Sequence, residues 1–310
     1  MPPATRRPLD TTATGIMLLL CVCWAFQQVA IKLVAADITP TLQIGLRSVF
    51  AAVVLGIVVL RREGLGLLRD GTLPAGLLVG LLFAAEFLLI ALALRFTTAS
   101  HVAVFLYTAP IFTALGLHLR LPEERLLPLQ WVGVLLAFVG IAVAFLGKRD
   151  VALPSAPDML LGDFLALLAG LSWGATTVAL RGSALSEAPP TKTLFYQMAV
   201  AAGLLTAWHA ASGDPAPVWS APAVASMAFQ TLGVALASLL TWFWLLRRYL
   251  ATRLSVLSFA TPLFGVTFGV LILHEPIAPG FALGALLVLG GILLVSGAGL
   301  ISEKLRRPGR

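Results

Sequence analysis

The chain has 310 residues, of which 59% are hydrophobic and only 11% are charged, and its mean hydropathy is +0.97. Soluble domains carry roughly 25% charged residues, so this composition excludes an ordinary soluble protein and predicts an integral membrane protein. The net charge of +7 does not indicate a nucleic-acid partner, because the basic residues form short clusters between apolar runs and not one basic face.

Ten apolar stretches follow one another along the chain, each close to the roughly 20 residues that a helix needs to cross the hydrocarbon core of a bilayer. We predict transmembrane helices at residues 14–36, 41–60, 73–94, 98–119, 127–147, 160–180, 191–211, 223–246, 251–273 and 280–301. The first stretch also has features of a signal peptide, since Arg6 and Arg7 precede it. Its length and the amides of Gln27 and Gln28 within it argue against cleavage.

The ten predicted helices divide into two sets of five that carry matching residues in the same order. These pairs are Trp24 and Trp173, Pro40 and Pro190, Pro110 and Pro262, and Glu124 and Glu275. We therefore predict an all-α membrane protein in which residues 1–150 and 151–310 form two five-helix repeats of one transmembrane unit. Because five is odd, the second repeat crosses the membrane in the opposite sense, which is the architecture of many secondary transporters.

The distribution of positive charge predicts the orientation of the bundle. If the N-terminus is cytoplasmic, most Lys and Arg residues fall on the cytoplasmic side. The external segments then hold Lys32, Arg95, Lys148 and Arg149. We predict a multi-pass protein of the bacterial cytoplasmic (inner) membrane with both termini in the cytoplasm.

The duplicated motifs resemble those of one known family. The first helices carry Trp24-Ala-Phe-Gln-Gln-Val and Trp173-Gly-Ala-Thr-Thr-Val, and the fourth helices carry Thr108-Ala-Pro110 and Ala260-Thr-Pro262. Together with Arg47 in the second helix and the Glu124 and Glu275 positions, this set resembles the EamA branch of the drug/metabolite transporter superfamily over nearly the whole chain. Ala25 departs from the family pattern, which places Gly after Trp.

The resemblance implies a ten-helix exporter or carrier of small metabolites that works as a monomer in the lipid bilayer, without a cofactor. Within that branch the chain is similar to bacterial exporters of the YddG type, which handle aromatic and other neutral amino acids. Multidrug, nucleoside and sugar-type carriers of the same fold are the alternatives.

Two ionisable residues lie well inside predicted helices. Arg47 and Glu86 are about 9 Å and about 12 Å from the external ends of their helices, at 1.5 Å per residue. A buried charge is costly in a membrane, so each must face protein or water. They could hold the carboxylate and the ammonium of a zwitterionic substrate, or Glu86 could couple transport to protons. Alternatively, they form a salt bridge with each other, or Arg47 caps backbone carbonyls.

Other residues at suitable depth could line a central cavity and contact a substrate. With Glu86, we predict that these substrate-binding residues are Trp24, Gln27, Gln28, Tyr107, Trp173, Thr177 and Ser238. Amides and hydroxyls can bond a ligand or a neighbouring helix, so each of them alone could equally hold helices together.

Pro110 and Pro262 are predicted to lie near the membrane midplane, about 18 Å and about 16 Å from one end of their helices. Each proline removes a backbone hydrogen bond and kinks its helix. Because the two are related by the repeat, we expect them to be gating hinges for alternating access and not passive kinks.

The fifth and tenth helices carry repeated glycines, including Gly133, Gly140, Gly284 and Gly291, which let helix backbones approach closely. We expect these two helices to pack together, with dimerisation as the alternative.

Enzymatic and metal chemistry is not predicted. The chain has no Walker or HExxH motif, and Cys21 and Cys23 project from one helix in different directions. Nor is a repeated filter loop visible, as a passive channel would require.

Overall fold

The computed structural model of the chain describes residues 10–64, 70–120, 126–146, 158–249, 254, 257–258 and 260–306. Within these ranges the protein is helical and contains no β-strand. Each predicted span overlaps one helix or several consecutive helical segments, so the all-helical prediction is confirmed.

The first half of the chain contains helices α1 to α6. Their bounds are α1 Thr11–Leu33, α2 Pro40–Glu63, α3 Leu73–Phe96, α4 Ala99–Leu106, α5 Ala109–Arg120 and α6 Pro128–Leu146. Helix α1 begins three residues before the predicted span, because the Asp10 carboxylate accepts a hydrogen bond of 2.7 Å from the Ala13 N–H and caps the helix. Proline occupies the first turn of α2 and α3, where no intrahelical donor is needed.

The second half contains helices α7 to α12. Their bounds are α7 Met159–Arg181, α8 Pro190–Ser212, α9 Ala221–Ala228, α10 Leu239–Arg248, α11 Ala260–Leu273 and α12 Pro279–Arg306. A short 3₁₀ turn at Ala184–Ser186 follows α7, and a π-helix at Phe229–Ser238 joins α9 to α10. The π-helix widens the backbone in the middle of the eighth predicted span, a feature that often marks functional sites.

Within the described residues, six helical stretches are long and apolar enough to cross a membrane. They are Thr11–Leu33, Pro40–Arg62, Leu73–Phe96, Ala99–Arg120, Met159–Arg181 and Ala221–Trp242. Shorter apolar helices occur at Pro128–Ala144, Ala260–Leu273 and Pro279–Val295. The protein is therefore a multi-pass membrane protein, whereas the number of ten crossings stays a prediction.

At one end of the bundle, polar contacts link four segments that connect helices, and the start of α7 lies at the same end. We call this the α3–α4 end. It is formed by residues 34–39, 97–98, 213–220 and 274–278. The Val218 N–H donates to the Asp37 carbonyl at 2.8 Å, and Arg95 forms an ion pair with Asp214. The charge pattern of the sequence predicts that this end is external.

At the opposite end, Asp70 ties the α2–α3 connection to the start of α8. Its carboxylate pairs with the Lys192 ammonium, and the Thr72 hydroxyl donates to it at 2.7 Å. These hydrogen bonds from Lys192 and Thr72 lower the pKa of Asp70 to about 2, so the carboxylate stays ionised at neutral pH. Lys192 is fully buried, and a buried ammonium requires such a partner.

Helices α6 and α12 pack directly against each other through glycines. A methyl group on Gly133 would lie 2.7 Å from the Gly291 carbonyl oxygen, and one on Gly140 would lie 2.7 Å from the Gly284 carbonyl oxygen. The backbones therefore touch, and the prediction that the fifth and tenth helices pack together is confirmed.

The fourth predicted span is broken into α4 and α5 just before Pro110. The helix ends at Leu106, turns at Tyr107 and Thr108, and begins again at Ala109. The Thr108 side chain stabilises the break, since its hydroxyl donates to the Phe105 carbonyl at 2.6 Å.

Helix α7 packs against this break through Gly170 and Gly174. A methyl group on Gly170 would lie 2.7 Å from Thr108 Oγ1 and 2.9 Å from the carbonyl oxygens of Phe105 and Leu106. One on Gly174 would lie 2.7 Å from Phe112 Cβ. The glycine after Trp173 therefore allows the close approach of α7 to α5.

We predict that Gly170→Ala destabilises the protein by about 1–3 kcal/mol, because the added methyl group overlaps backbone atoms that cannot move aside. Gly203→Ala in α8 is the matched control, since a methyl group there meets no atom within 4 Å. Alanine gains helix propensity at both sites, by up to about 1 kcal/mol. Thermal unfolding in detergent should show a lower Tm for Gly170→Ala and an unchanged or higher Tm for Gly203→Ala. Equal Tm values for the two variants would contradict the packing described for α7.

Candidate functional site

Arg47 on α2 and Glu86 on α3 are both buried inside the bundle. Their exposed fractions are 3% and 6%. The Arg47 guanidinium lies over the Phe87 ring, 4.7 Å from its centroid, and the described part of the chain provides no hydrogen-bond partner for its Nη1 atom. Among the described residues, neither side chain forms an ion pair within 4.0 Å, although the two charges interact electrostatically. A direct salt bridge between them, one of the alternatives weighed above, is therefore not formed in this structure.

The aromatic residues predicted to line a cavity contact polar or aromatic side chains on other helices. The Trp24 indole N–H donates to Ser238 Oγ at 2.9 Å, which joins α1 to the end of the π-helix. The rings of Tyr107 and Trp173 meet edge to face with centroids 5.3 Å apart. Tyr107 also lies within electrostatic range of Glu86. The structure thus brings Trp24 to Ser238, and Tyr107 to Trp173.

The remaining polar candidates differ in their hydrogen bonds. Gln27 and Gln28 on α1 are both buried, and Gln28 Oε1 has no partner in the described part of the chain. The Thr177 hydroxyl instead donates to the Trp173 carbonyl of its own helix at 3.2 Å. An unpaired buried amide oxygen is unfavourable, so Gln28 is the better candidate for a contact with a ligand or water.

Of the two predicted hinges, Pro110 follows directly on the break between α4 and α5. Pro262 is the third residue of α11 and is buried, and residues 255, 256 and 259 just before it lie outside the described part of the chain. The structure therefore shows a discontinuous helix at Pro110.

A buried amide network near Arg47 was not predicted from the sequence. Gln43 lies one turn before Arg47 on α2, and its Oε1 accepts a hydrogen bond of 2.7 Å from Gln230 Nε2 on the π-helix. Gln230 also donates to Ser226 Oγ at 3.0 Å, and Ser226 donates to the Ala30 carbonyl at 3.0 Å. Polar residues four positions apart on an apolar helix, as at 43 and 47, are the signal that would have indicated it.

Glu275 caps a helix, but not the one that follows it in the chain. Its carboxylate accepts hydrogen bonds from the N–H groups of Ala99 and Ser100 at 2.7 and 2.9 Å, at the start of α4. From its place just before α12 in the sequence, we predict that Glu275 caps α12 or pairs with a nearby Arg. The first expectation is wrong, since the sequence does not reveal that α4 begins in the protein interior. Glu124, its counterpart, lies outside the described residues.

A shallow apolar groove of about 350 Å³ lies on α2, α9 and the π-helix. Its lining includes Phe50, Trp219, Met227 and Leu232. These side chains belong to the apolar surface of the bundle, so the groove is separate from the candidate site.

Comparisons with known proteins agree with the architecture. The chain resembles an uncharacterized transporter, YoaV, of Bacillus subtilis, with 27% identity over 87% of this chain and 92% of the relative. Another Bacillus subtilis relative, the uncharacterized transporter YvbV, is 26% identical over 94% of this chain and 93% of its own length. A crystal structure with 22% sequence identity superimposes with a TM-score of 0.64 over 96% of this chain and all of the other, which supports the fold alone.

The family comparison covers most of the chain. The model of the EamA-like transporter family matches residues 12–146 and again residues 160–297. These two segments contain the Trp24 and Trp173 motifs, the α4–α5 break and the paired α6 and α12 helices. The chain therefore belongs to the EamA-like transporter family.

Proposed function

We propose that this protein is a secondary transporter that exports neutral and aromatic amino acids across the bacterial cytoplasmic membrane, as a monomer with both termini in the cytoplasm. The observation that carries this proposal is the buried Arg47 guanidinium, whose Nη1 atom has no hydrogen-bond partner among the described residues and which lies in electrostatic range of Glu86. A zwitterion offers each side chain an ion-pair partner, which neither has among the described residues. Arg47 would bind the carboxylate and Glu86 the ammonium.

Aromatic and amide groups support the choice of an amino acid. Phe87 lies beside Arg47, and Tyr107 contacts Trp173 edge to face. All three rings offer apolar area to a substrate side chain, and the Tyr107 hydroxyl and the Trp173 indole N–H can also form hydrogen bonds. Trp24, Gln27, Gln28, Thr177 and Ser238 would complete the binding surface.

Burial of the fourth span supports an alternating-access mechanism. Every residue from 97 to 109 is buried, whereas residues 112–116 on α5 are half-buried and residues 119 and 120 are exposed. This asymmetry fits a carrier that is closed at its α3–α4 end. We infer that movement at Pro110 and Pro262 exchanges the open and closed ends.

We predict that proteoliposomes containing the protein show counterflow of radiolabelled neutral amino acids without any ion gradient. Glu86→Gln should reduce this counterflow at least tenfold, because it removes the charge that we assign to the ammonium. The matched control is Glu187→Gln, an exposed carboxylate. A variant that keeps counterflow but loses the effect of an imposed proton gradient would make Glu86 the coupling residue. Uptake of sugars, nucleosides or cationic drugs, but of no amino acid, would reject the proposed substrate class.

We predict that Arg47 distinguishes amino acids from their methyl esters, which lack the carboxylate charge. A charge-assisted hydrogen bond contributes about 1.5–3 kcal/mol, so the wild type should prefer the free acid by roughly 10- to 100-fold. Competition against counterflow should show that Arg47→Gln loses this preference, whereas Arg62→Gln at the exposed end of α2 keeps it. Equal discrimination by wild type and Arg47→Gln would assign Arg47 a structural role.

We predict that a disulfide between α5 and α7 stops transport reversibly. The Cβ atoms of cysteines at positions 116 and 178 would lie 3.6 Å apart, within the range that disulfides require. Gly116→Cys and Val178→Cys are introduced after replacing Cys21 and Cys23. Oxidation should abolish counterflow and dithiothreitol should restore it. Full transport by the oxidised protein would contradict movement of α5 relative to α7.

A further inference from the structure

A buried chain of hydrogen bonds joins α1, α2 and the π-helix beside the candidate substrate site. The Gln43 amide on α2 donates to the carbonyls of Ile31 and Ile38 at 3.1 and 2.7 Å. Its oxygen accepts from Gln230 Nε2 at 2.7 Å, and the same nitrogen donates to Ser226 Oγ at 3.0 Å. Gln43 and Gln230 are fully buried. The chain therefore lies in the protein interior, where an unpaired polar group is costly.

The donors and acceptors of this chain fix the orientation of both amides. Backbone carbonyls can only accept, so the nitrogen of Gln43 must face Ile31 and Ile38, and its oxygen must face Gln230. Gln230 must then turn its nitrogen toward Gln43. Ser226 donates its own hydrogen to a backbone carbonyl of α1 at 3.0 Å, so toward Gln230 it acts as an acceptor. Both N–H groups of the Gln230 amide are therefore used within the protein.

The oxygen of the same amide is left without a donor. Gln230 Oε1 is buried and forms no hydrogen bond with any of the described residues. Rotating the amide would not relieve it, because its oxygen would then face the oxygen of Gln43. Since both N–H groups donate, the amide is polarised and its oxygen is a stronger acceptor. A buried acceptor of this kind requires a donor from a ligand or from water.

The position of Gln230 relates it to the proposed substrate. Gln43 lies four residues before Arg47, so their side chains share one face of α2. Side chains on a helix lean toward its N-terminus, which brings the Arg47 side chain toward the turn that carries Gln43. The π-helix that carries Gln230 also carries Ser238, which accepts from the Trp24 indole. Gln230 is thus connected to residues of the candidate site through α2 and through its own helix.

We propose that Gln230 Oε1 accepts a hydrogen bond from the ammonium group of the transported amino acid and selects substrates by their number of N–H donors. This inference rests on the proposed function, which assigns the ammonium charge to Glu86. A primary ammonium has three N–H donors, enough for Glu86 and Gln230 together. An N,N-dimethylated ammonium keeps the charge but has a single donor, so it leaves one of the two acceptors unpaired.

Competition against counterflow of radiolabelled phenylalanine in proteoliposomes tests this selection, with unlabelled phenylalanine and N,N-dimethylphenylalanine as the competitors. Because a charge-assisted hydrogen bond is lost, the wild type should prefer phenylalanine by at least about tenfold. Gln230→Met has a side chain of similar length without a strong acceptor, and it should lower this preference by about tenfold. The steric effect of the methyl groups is common to both proteins and cancels when their preferences are compared.

Ser226→Ala is the matched control. It removes one hydrogen bond of the same chain but leaves Gln43 to orient the Gln230 amide, so the preference should remain. If Gln230→Met is not recovered as an active protein, Gln230→Glu tests the same position. Whether ionised or protonated, the glutamate keeps an acceptor oxygen, so the preference should remain or increase.

Two kinds of failure are distinguishable. If the wild type transports phenylalanine and Gln230→Met shows the same preference, the oxygen meets only water and the inference is overturned. Loss of the preference in Ser226→Ala or in Gln230→Glu would also overturn it. Absence of counterflow of every amino acid in the wild type would instead reject the proposed function, and this inference with it.

Discussion

The N-terminus of α4 lies inside the protein, and the arrangement of the bundle depends on how its backbone donors are satisfied. The first four N–H groups of a helix have no partner within the helix, and water cannot supply one in the interior of a membrane protein. Glu275 accepts from Ala99 and Ser100, whereas Thr98 accepts from His101 and Val102 through its side chain and backbone. Because Glu275 belongs to the other half of the chain, the two halves are joined where α4 begins.

This fully satisfied cap contrasts with the substrate site that we propose around Arg47. Glu275 has three donors from α4, counting the Ser100 hydroxyl, and Lys32 lies within electrostatic range, so its charge is balanced by the fold. Arg47 is equally buried, but the described residues offer its charge only the face of Phe87 and the electrostatic attraction of Glu86. Both are charges in a low-dielectric interior, where an unbalanced charge is expensive. A buried charge that the fold balances indicates a structural role, whereas one that it leaves unbalanced indicates a ligand that binds and dissociates.

Helix positions and glycine contacts could be predicted from the sequence, because they follow from local properties of the chain. Spans such as 41–60 and 73–94 match α2 and α3 closely, since apolar length and proline at the first turn determine both. The partner of Glu275, the network of Gln43 with Gln230 and the π-helix could not be predicted, because each depends on contacts between distant segments. Within the candidate site, depth along a helix identified Arg47 and Glu86, but not whether they would touch.

The contact between α6 and α12 has a consequence for how glycine patterns in membrane proteins are interpreted. In a single-pass helix, spaced small residues are read as a surface for self-association. Here Gly133 faces Gly291 and Gly140 faces Gly284, so both glycine surfaces are occupied within one molecule. A second copy of the chain would have to use another face, such as the apolar one around Phe50 and Leu232. When both halves of a duplicated membrane protein carry the same glycine pattern, the pattern can therefore indicate a helix contact between the two halves of one molecule.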